Sequence, residues 1–226
     1  MNKHKRKSGI LLHPTALPGP YGIGEIGPHA YRFADHLSDM GQTLWQILPI
    51  GPTDFHNSPY SSMSTFAGNH LLISLDLLVE DGLLDSKILE GCQVDNLHKI
   101  IFNDVINFKL PILKQVGRNF DKKASIEMKI SFEKFCIDQS YWLDDYSRYW
   151  ALKEENDQKS WFEWKLSTVQ NTEYVHEAKV IQFLFHDQWH RLHQYCQEKG
   201  IQIIGDMPIY VGYDSADVYA NPELFQ

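Results

Sequence analysis

SGILLHPTALPGPYGIGEIGPHAYRFADHLSDMGQTLWQILPI, residues 8–50, sets the organisation of the chain. Ser8–Leu12 reads as a short buried strand, followed by a Pro/Gly-rich loop. Pro28 suits the first turn of a helix, where its missing N–H costs nothing. Ala30, Phe33, Ala34 and Leu37 then recur at helical spacing, and Gly41 is placed to end the helix. Thr43–Ile50 is a second apolar strand, bounded by Pro52. Strand, helix, strand in this order makes a βαβ unit with a parallel pair.

The same order returns near the other end. A helical pattern over about residues 177–199 runs through Ile181, Leu184, Phe185, Leu192, Tyr195 and Cys196. Gly200 caps it, and Ile201–Asp206 is a third apolar strand. The pieces between, FNDVINFKLPILKQV, ISFEKFCI and YWLDDYSRYWALKEEN, read as helical and polar-aromatic. The expected division is residues 1–80, the first βαβ part with a loop suited to sugar; 81–175, a mainly helical insertion; and 176–226, a helix, a strand and a second binding loop. Parallel sheets are covered on both faces or closed into barrels. A (β/α)₈ barrel takes eight strands and about 250 residues. The expected class is therefore α/β, an incomplete (β/α)₈ TIM-barrel: its first three core strands plus the insertion.

Composition narrows the function. The 226 residues carry a formal charge of −8, with 43% hydrophobic and 13% aromatic residues. An acidic chain is a poor partner for nucleic acid. The basic run Lys3–Lys7 reads as a solvated arm. Gly9–Leu12 offers three apolar side chains before His13 and Pro14, where a secretory signal needs about 7–15. No stretch approaches the roughly 18 apolar residues of a membrane span. Cys92, Cys136 and Cys196 are odd in number and far apart, as expected of reduced thiols in the cytoplasm.

GIGEIG, through Gly22, Gly24 and Gly27, fits the dinucleotide fingerprint G-x-G-x-x-G. Its context does not: nine residues with three prolines separate it from the strand, and LPIGP replaces the acid that would meet a ribose. The glycines read instead as a tightly folded loop. His186, His190 and His193 could face a zinc ion from one helix, but at about 100° per residue they lie opposite the apolar stripe. The tryptophans and tyrosines of residues 141–164 suit core packing or sugar stacking. NSPYSSMSTFAGN, Asn57–Asn69, follows the second strand directly and sets hydroxyls and amides around Tyr60 and Phe66, a composition suited to a pyranose. The alternative is a Ser/Gly-rich solvent loop, which its place at the carboxyl end of the strand disfavours. Asp206 ends the third strand, Asp214 follows eight residues on, and Asp217 reads as a helix cap or turn residue.

Taken together, SGILLHPTALPGPYGIGEIGPHAYRF, TLWQILPIGPT, SPYSSMSTFAGN and GDMPIYVGYDSADVYANPELF resemble the amino-terminal half of the bacterial 4-α-glucanotransferases, also called amylomaltases or disproportionating enzymes. Residues 85–175 resemble the family's insertion in character alone. Gly212-Tyr213 and His70 depart mildly from the common pattern. The resemblance implies a (β/α)₈ barrel of the α-amylase superfamily. Such an enzyme cuts an α-1,4-glucan (maltodextrin), holds part of it as a glycosyl-enzyme and passes it to a sugar 4-hydroxyl, with no metal or organic cofactor. It implies that Tyr60 stacks on the sugar at the cleavage subsite, that Asp214 hydrogen-bonds to it, and that Ser58 makes a neighbouring contact. The family's nucleophilic Asp sits in an R-I-D-H-type motif, with its acid/base Glu and a third Asp further on; none of these motifs occurs here. The expectation is thus a chain without its catalytic carboxylates, inactive alone, and lacking the carboxyl-terminal half of the enzyme as its partner. A maltodextrin-binding protein without turnover, or a truncated product that does not fold by itself, are the alternatives.

Overall fold

The structure, a computed structural model, describes residues 6–54, 56–92 and 99–225. Most of the basic run Lys3–Lys7 lies outside them. Three strands, β1 (Gly9–Leu11), β2 (Leu44–Gln46) and β4 (Gln202–Ile204), form a parallel sheet in the order β1-β2-β4. A second, two-residue pair joins β3 (Ser61–Ser62) to β5 (Tyr210–Val211). Helix α1 (Pro28–Asp39) links β1 to β2, and α2 (Leu75–Glu80) follows the β2 loop. Helices α3 (Phe102–Lys123), α4 (Ile126–Asp138) and α5 (Ser140–Glu155) follow, before the 27-residue α6 (Thr172–Glu198) and the short α7 (Ala216–Ala220).

The three expected strands are present, parallel and in register, Ile10 opposite Trp45 and Trp45 opposite Ile203. They are shorter than the apolar runs. The ladder continues one step, through Leu12 N–H to Gln46 O and Ile47 N–H to Ile204 O, both 2.9 Å. Pro49, which has no N–H to donate, and Gly51-Pro52 then turn the chain away. One face of the sheet is the core face. There Trp45 is fully buried, set edge-on to Phe33 of α1 at 4.9 Å, with its indole N–H donated to Leu12 O at 2.7 Å. Leu11, Gln46 and Ile204 share the other face and are exposed, Leu11 by 56%. The reading of Ser8–Leu12 as a buried strand is therefore corrected. An apolar run records what could be buried, and this edge strand has helices on one side alone.

Helix α6 starts at Thr172, five residues before the sequence pattern suggested, where the Asn171 side chain accepts Glu173 N–H at 2.9 Å. It packs on α1 and β4 with one part and on α3, α4 and α5 with another, so a single core runs from Leu37 and Trp45 through Phe183 to Phe120. Two glutamines of α6 act as strand surrogates for the β2 loop. Gln182 both accepts from Gly68 N–H (2.7 Å) and donates to Gly68 O (3.0 Å); Gln188 does the same with Ser74 at the same distances. A buried amide with both ends paired stabilises the fold; half-paired, it would cost it. Gly68 lies so close to α6 that a Cβ would sit 1.9 Å from the Phe185 ring. Gly68→Ala is expected to lower stability by about 1–3 kcal/mol through overpacking, read as a lower denaturation midpoint with an unchanged slope.

The glycine loop is folded as tightly as the sequence suggested: a Cβ on Gly24 would meet Pro14 O at 2.0 Å. Its acid, Glu25, is buried and paired with the fully buried Lys109 of α3. Lys109 also donates to Leu71 O (2.6 Å) and Ile73 O (2.7 Å), which ties the first loop, the β2 loop and α3 together.

Candidate functional site

The site is built on the loops that leave β2 and β4. Each carries one strand of the two-residue pair. The join is extended by Gly212 N–H to Ser62 O (2.8 Å), Ala216 N–H to Met63 O (2.9 Å) and Thr65 N–H to Asp217 Oδ2 (3.0 Å). Asp217, read from the sequence as a helix cap or turn residue, is thus corrected: it lies in the first turn of α7 and bridges the two loops. The cap of α7 is Ser215, whose hydroxyl accepts Val218 N–H. Within the β2 loop, Asp54 accepts His56 N–H (2.9 Å) and Ser61 Oγ–H (2.7 Å), and Ser58 Oγ accepts Tyr60 N–H (3.3 Å).

Tyr60 stands at the junction, 37% exposed, with its hydroxyl donated to Asp206 Oδ2 at 2.8 Å. The Asp206 hydrogen bond holds the phenol above its usual pKa, so it stays protonated and anchored. Asp206 is exposed, lies two residues beyond the end of β4 rather than at it, and accepts its own neighbour's N–H (Met207, 2.8 Å).

Asp214 lies on the second loop with a different set of partners. Its Oδ1 accepts Tyr149 O–H (2.8 Å) and Trp161 N–H (3.1 Å), and its Oδ2 accepts Lys153 Nζ–H (2.6 Å). Burial pushes its pKa up, but Lys153, Tyr149 and the Trp161 N–H outweigh it and hold the carboxyl below its usual range. Trp161 also donates its indole N–H to Tyr213 O at 2.8 Å. The structure therefore brings Tyr60, with Ser58 beside it in the loop, to Asp206, while Asp214 is joined to α5 and to Trp161 beyond it. Tyr149 and Lys153 were not singled out from the sequence. Their i, i+4 spacing on one face of α5 is the signal that could have found them.

The aromatic residues divide. Tyr146, Tyr149, Trp150 and Trp164 pack around α5, whereas Tyr141, Phe162 and Tyr213 are each more than half exposed. His186 and His190 are exposed, on the face opposite the apolar stripe as expected, and His193 is half-buried. Among the described residues no group of three or more metal-ligating side chains is gathered, and no helix is long and apolar enough to cross a membrane.

Comparison with known proteins bears on this geometry directly. The family model described as 4-alpha-glucanotransferase matches residues 12–226. The chain belongs to that family. It is 41% identical over 237 residues to the 4-alpha-glucanotransferase of Aquifex aeolicus, covering 98% of this chain and 46% of the relative. With the Synechocystis 4-alpha-glucanotransferase the identity is 40% over 234 residues, with the same coverage. Amylomaltase from Streptococcus agalactiae, solved in complex with acarbose, superposes with a TM-score of 0.90 at 35% identity, covering 98% of this chain and 47% of that one. The chain thus spans about half the length of the family members it matches, and the α/β fold described above is the family's over that span.

Proposed function

We propose that these residues form the glucan-holding wall of a retaining 4-α-glucanotransferase, which moves a segment of an α-1,4-glucan onto the 4-hydroxyl of glucose or another glucan. The observation that carries the reading is Tyr60. An aromatic ring is held at the carboxyl ends of parallel strands by its hydroxyl on Asp206, on a loop fastened to its neighbour through β3 and β5. Sites in parallel α/β folds are built at these strand ends, and an anchored ring offers a face to the apolar side of a pyranose. Ser58, two residues before Tyr60, supplies a hydroxyl. Asp214 has three of its roughly four acceptor positions filled, and the fourth is the one a sugar hydroxyl would take. Superposition on a relative solved with acarbose supports a sugar ligand.

In this reading β1, β2 and β4 are the opening strands of a (β/α)₈ barrel, α3–α5 are its inserted subdomain, and the protein acts on maltodextrin in the cytoplasm without metal or organic cofactor. Retaining transfer needs a nucleophilic carboxylate and an acid/base about 5–5.5 Å apart across the glycosidic bond. Asp206 is bound to Tyr60 and Asp214 to Lys153 and Tyr149, so neither is poised for that chemistry. The 226 residues are therefore proposed to bind glucan and not to turn it over, with the catalytic carboxylates supplied by the family's remaining sequence. Incubation with maltotriose is expected to yield neither glucose nor longer maltodextrins, while titration detects binding that Tyr60→Ala weakens about tenfold, the loss of one stacked ring and its anchor. Glucose release by the chain alone, or an unchanged affinity in Tyr60→Ala, would overturn the proposal.

A further inference from the structure

Helix α4 is apolar on two opposite sides. One faces the core, where Phe135 is buried and Met128 and Phe132 pack against the same cluster. The other faces solvent and carries Ile126, Ile130 and Ile137, exposed by 72%, 60% and 74%. At about 100° per residue from Ile126, these three fall at about 0–40°, and Phe135, Met128 and Phe132 at about 180–240°. Single exposed apolar side chains are ordinary, but a line of them along one helix is not. Isoleucine is a middling helix former, so propensity does not account for the line. A helix apolar on every side is normally covered on every side.

We propose that this face receives a second copy of the chain, α4 against α4 and antiparallel, across a two-fold axis beside Ser131. The proposal stands apart from the glucan reading. It is carried by the charges beside the isoleucines. Glu127 and Lys134 lie on one flank of the line, Lys129 and Glu133 on the other. Among the described residues none of these four makes an ion pair within the chain. An antiparallel two-fold sets each flank against the same flank of the other copy, and a residue just before the axis faces one equally far beyond it. Lys129 then meets the second copy's Glu133, and Glu127 meets its Lys134. Ile126 meets its Ile137, and Ile130 packs on its own counterpart near the axis. Each match recurs with the copies exchanged, so every charge on the seam faces its opposite and every isoleucine an isoleucine.

This self-complementarity is what selects a second copy over an unrelated partner. Apolar contact alone would suit many surfaces, whereas matched charges fix the register and reject wrong ones. The antiparallel arrangement also opposes the two helix dipoles, which parallel packing would align. A 13-residue helix is about 20 Å long. A seam of that length falls below the roughly 1,000 Å² of a stable complex. The dimer is therefore a transient one, with a dissociation constant on the order of 100 μM.

Analytical ultracentrifugation of the 226-residue chain over about 1–500 μM should show monomer passing to dimer. Ile130→Lys removes an apolar contact and sets like charges together at the axis, so it should weaken association more than tenfold. Lys129→Glu, which faces Glu133 with a second carboxylate, should weaken it about tenfold. Adding Glu133→Lys to that variant should restore it to within about twofold of wild type, because the swapped charges again face their opposites. All three variants lie on the outer side of α4, and each is checked for an unchanged thermal midpoint at the lowest concentration. A wild type that stays monomeric throughout, or an Ile130→Lys variant that associates as wild type does, would overturn the proposal. A double variant as weak as Lys129→Glu would overturn the antiparallel arrangement, since in parallel helices the swap leaves like charges facing.

Discussion

Lys109→Ala is expected to destabilise the chain by about 3–5 kcal/mol, the range for removing one partner of a buried ion pair. That is a large part of the stability of a domain this size. The cost arises from what is left behind. Glu25 would remain buried with no cation, and the Leu71 and Ile73 carbonyls would lose their shared donor. Burial already pushes the Glu25 pKa up against the pull of Lys109, and pushes the Lys109 pKa down against the pull of Glu25. Each charge is held in place by the other. The double variant Lys109→Met with Glu25→Gln should recover a substantial part of the loss, since no unpaired charge is then buried. Urea denaturation of the three variants measures this. A Lys109→Ala midpoint equal to wild type, or a double variant no better than the single, would show that the pair does not hold the first loop to α3.

The second large effect is at Asp214. Asp214→Ala strands Lys153, the Tyr149 hydroxyl and the Trp161 N–H together, and is expected to cost roughly 2–4 kcal/mol. It also carries a pH signature. The folded-state pKa of Asp214 is depressed, so its contribution is fully present above the unfolded carboxyl value of about 4 and is lost as pH falls through the folded value. The stability difference between wild type and variant should thus be flat from about pH 5 to 8 and shrink below about pH 4. A difference that stays constant into acid would mean that the carboxylate charge is not what holds the loop. A practical point follows for binding studies. Lost glucan affinity in an Asp214 variant cannot be credited to a lost sugar contact until its stability has been matched, whereas Tyr60 and Phe66 lie at the surface.

The parts legible in the sequence are those set locally. SGILL, TLWQILPI and IQIIGD announce strands because short apolar runs between glycine and proline have few alternatives, and Ala30, Phe33, Ala34 and Leu37 show one helical face. Their order gives the parallel sheet. What escaped notice depends on contacts between distant segments. Ser61–Ser62 has no strand character and becomes β3 through its pairing with Tyr210–Val211. Asp217 stands two residues after a serine, in the first turn of a short helix, yet its carboxylate is drawn across to Thr65. Lys109 was readable in principle. It falls on the stripe of Val105, Ile112 and Val116, where a lysine must be either paired or misplaced, and its acid is 84 residues away. At the site, Tyr60 was visible from its loop, but its tie to Asp206 spans 146 residues and needed the fold.

The β3–β5 splice has a consequence for how a glucan would be received. Two surface loops that fluctuated independently would each have to be stilled by an arriving sugar, and its affinity would fall accordingly. Here the strand pair and the Thr65–Asp217 bridge make them one body, so their stiffness is a product of folding and not of encounter. The reverse also holds: if thermal motion parts those few hydrogen bonds, the proposed glucan wall comes apart while the helical core beneath it stands intact.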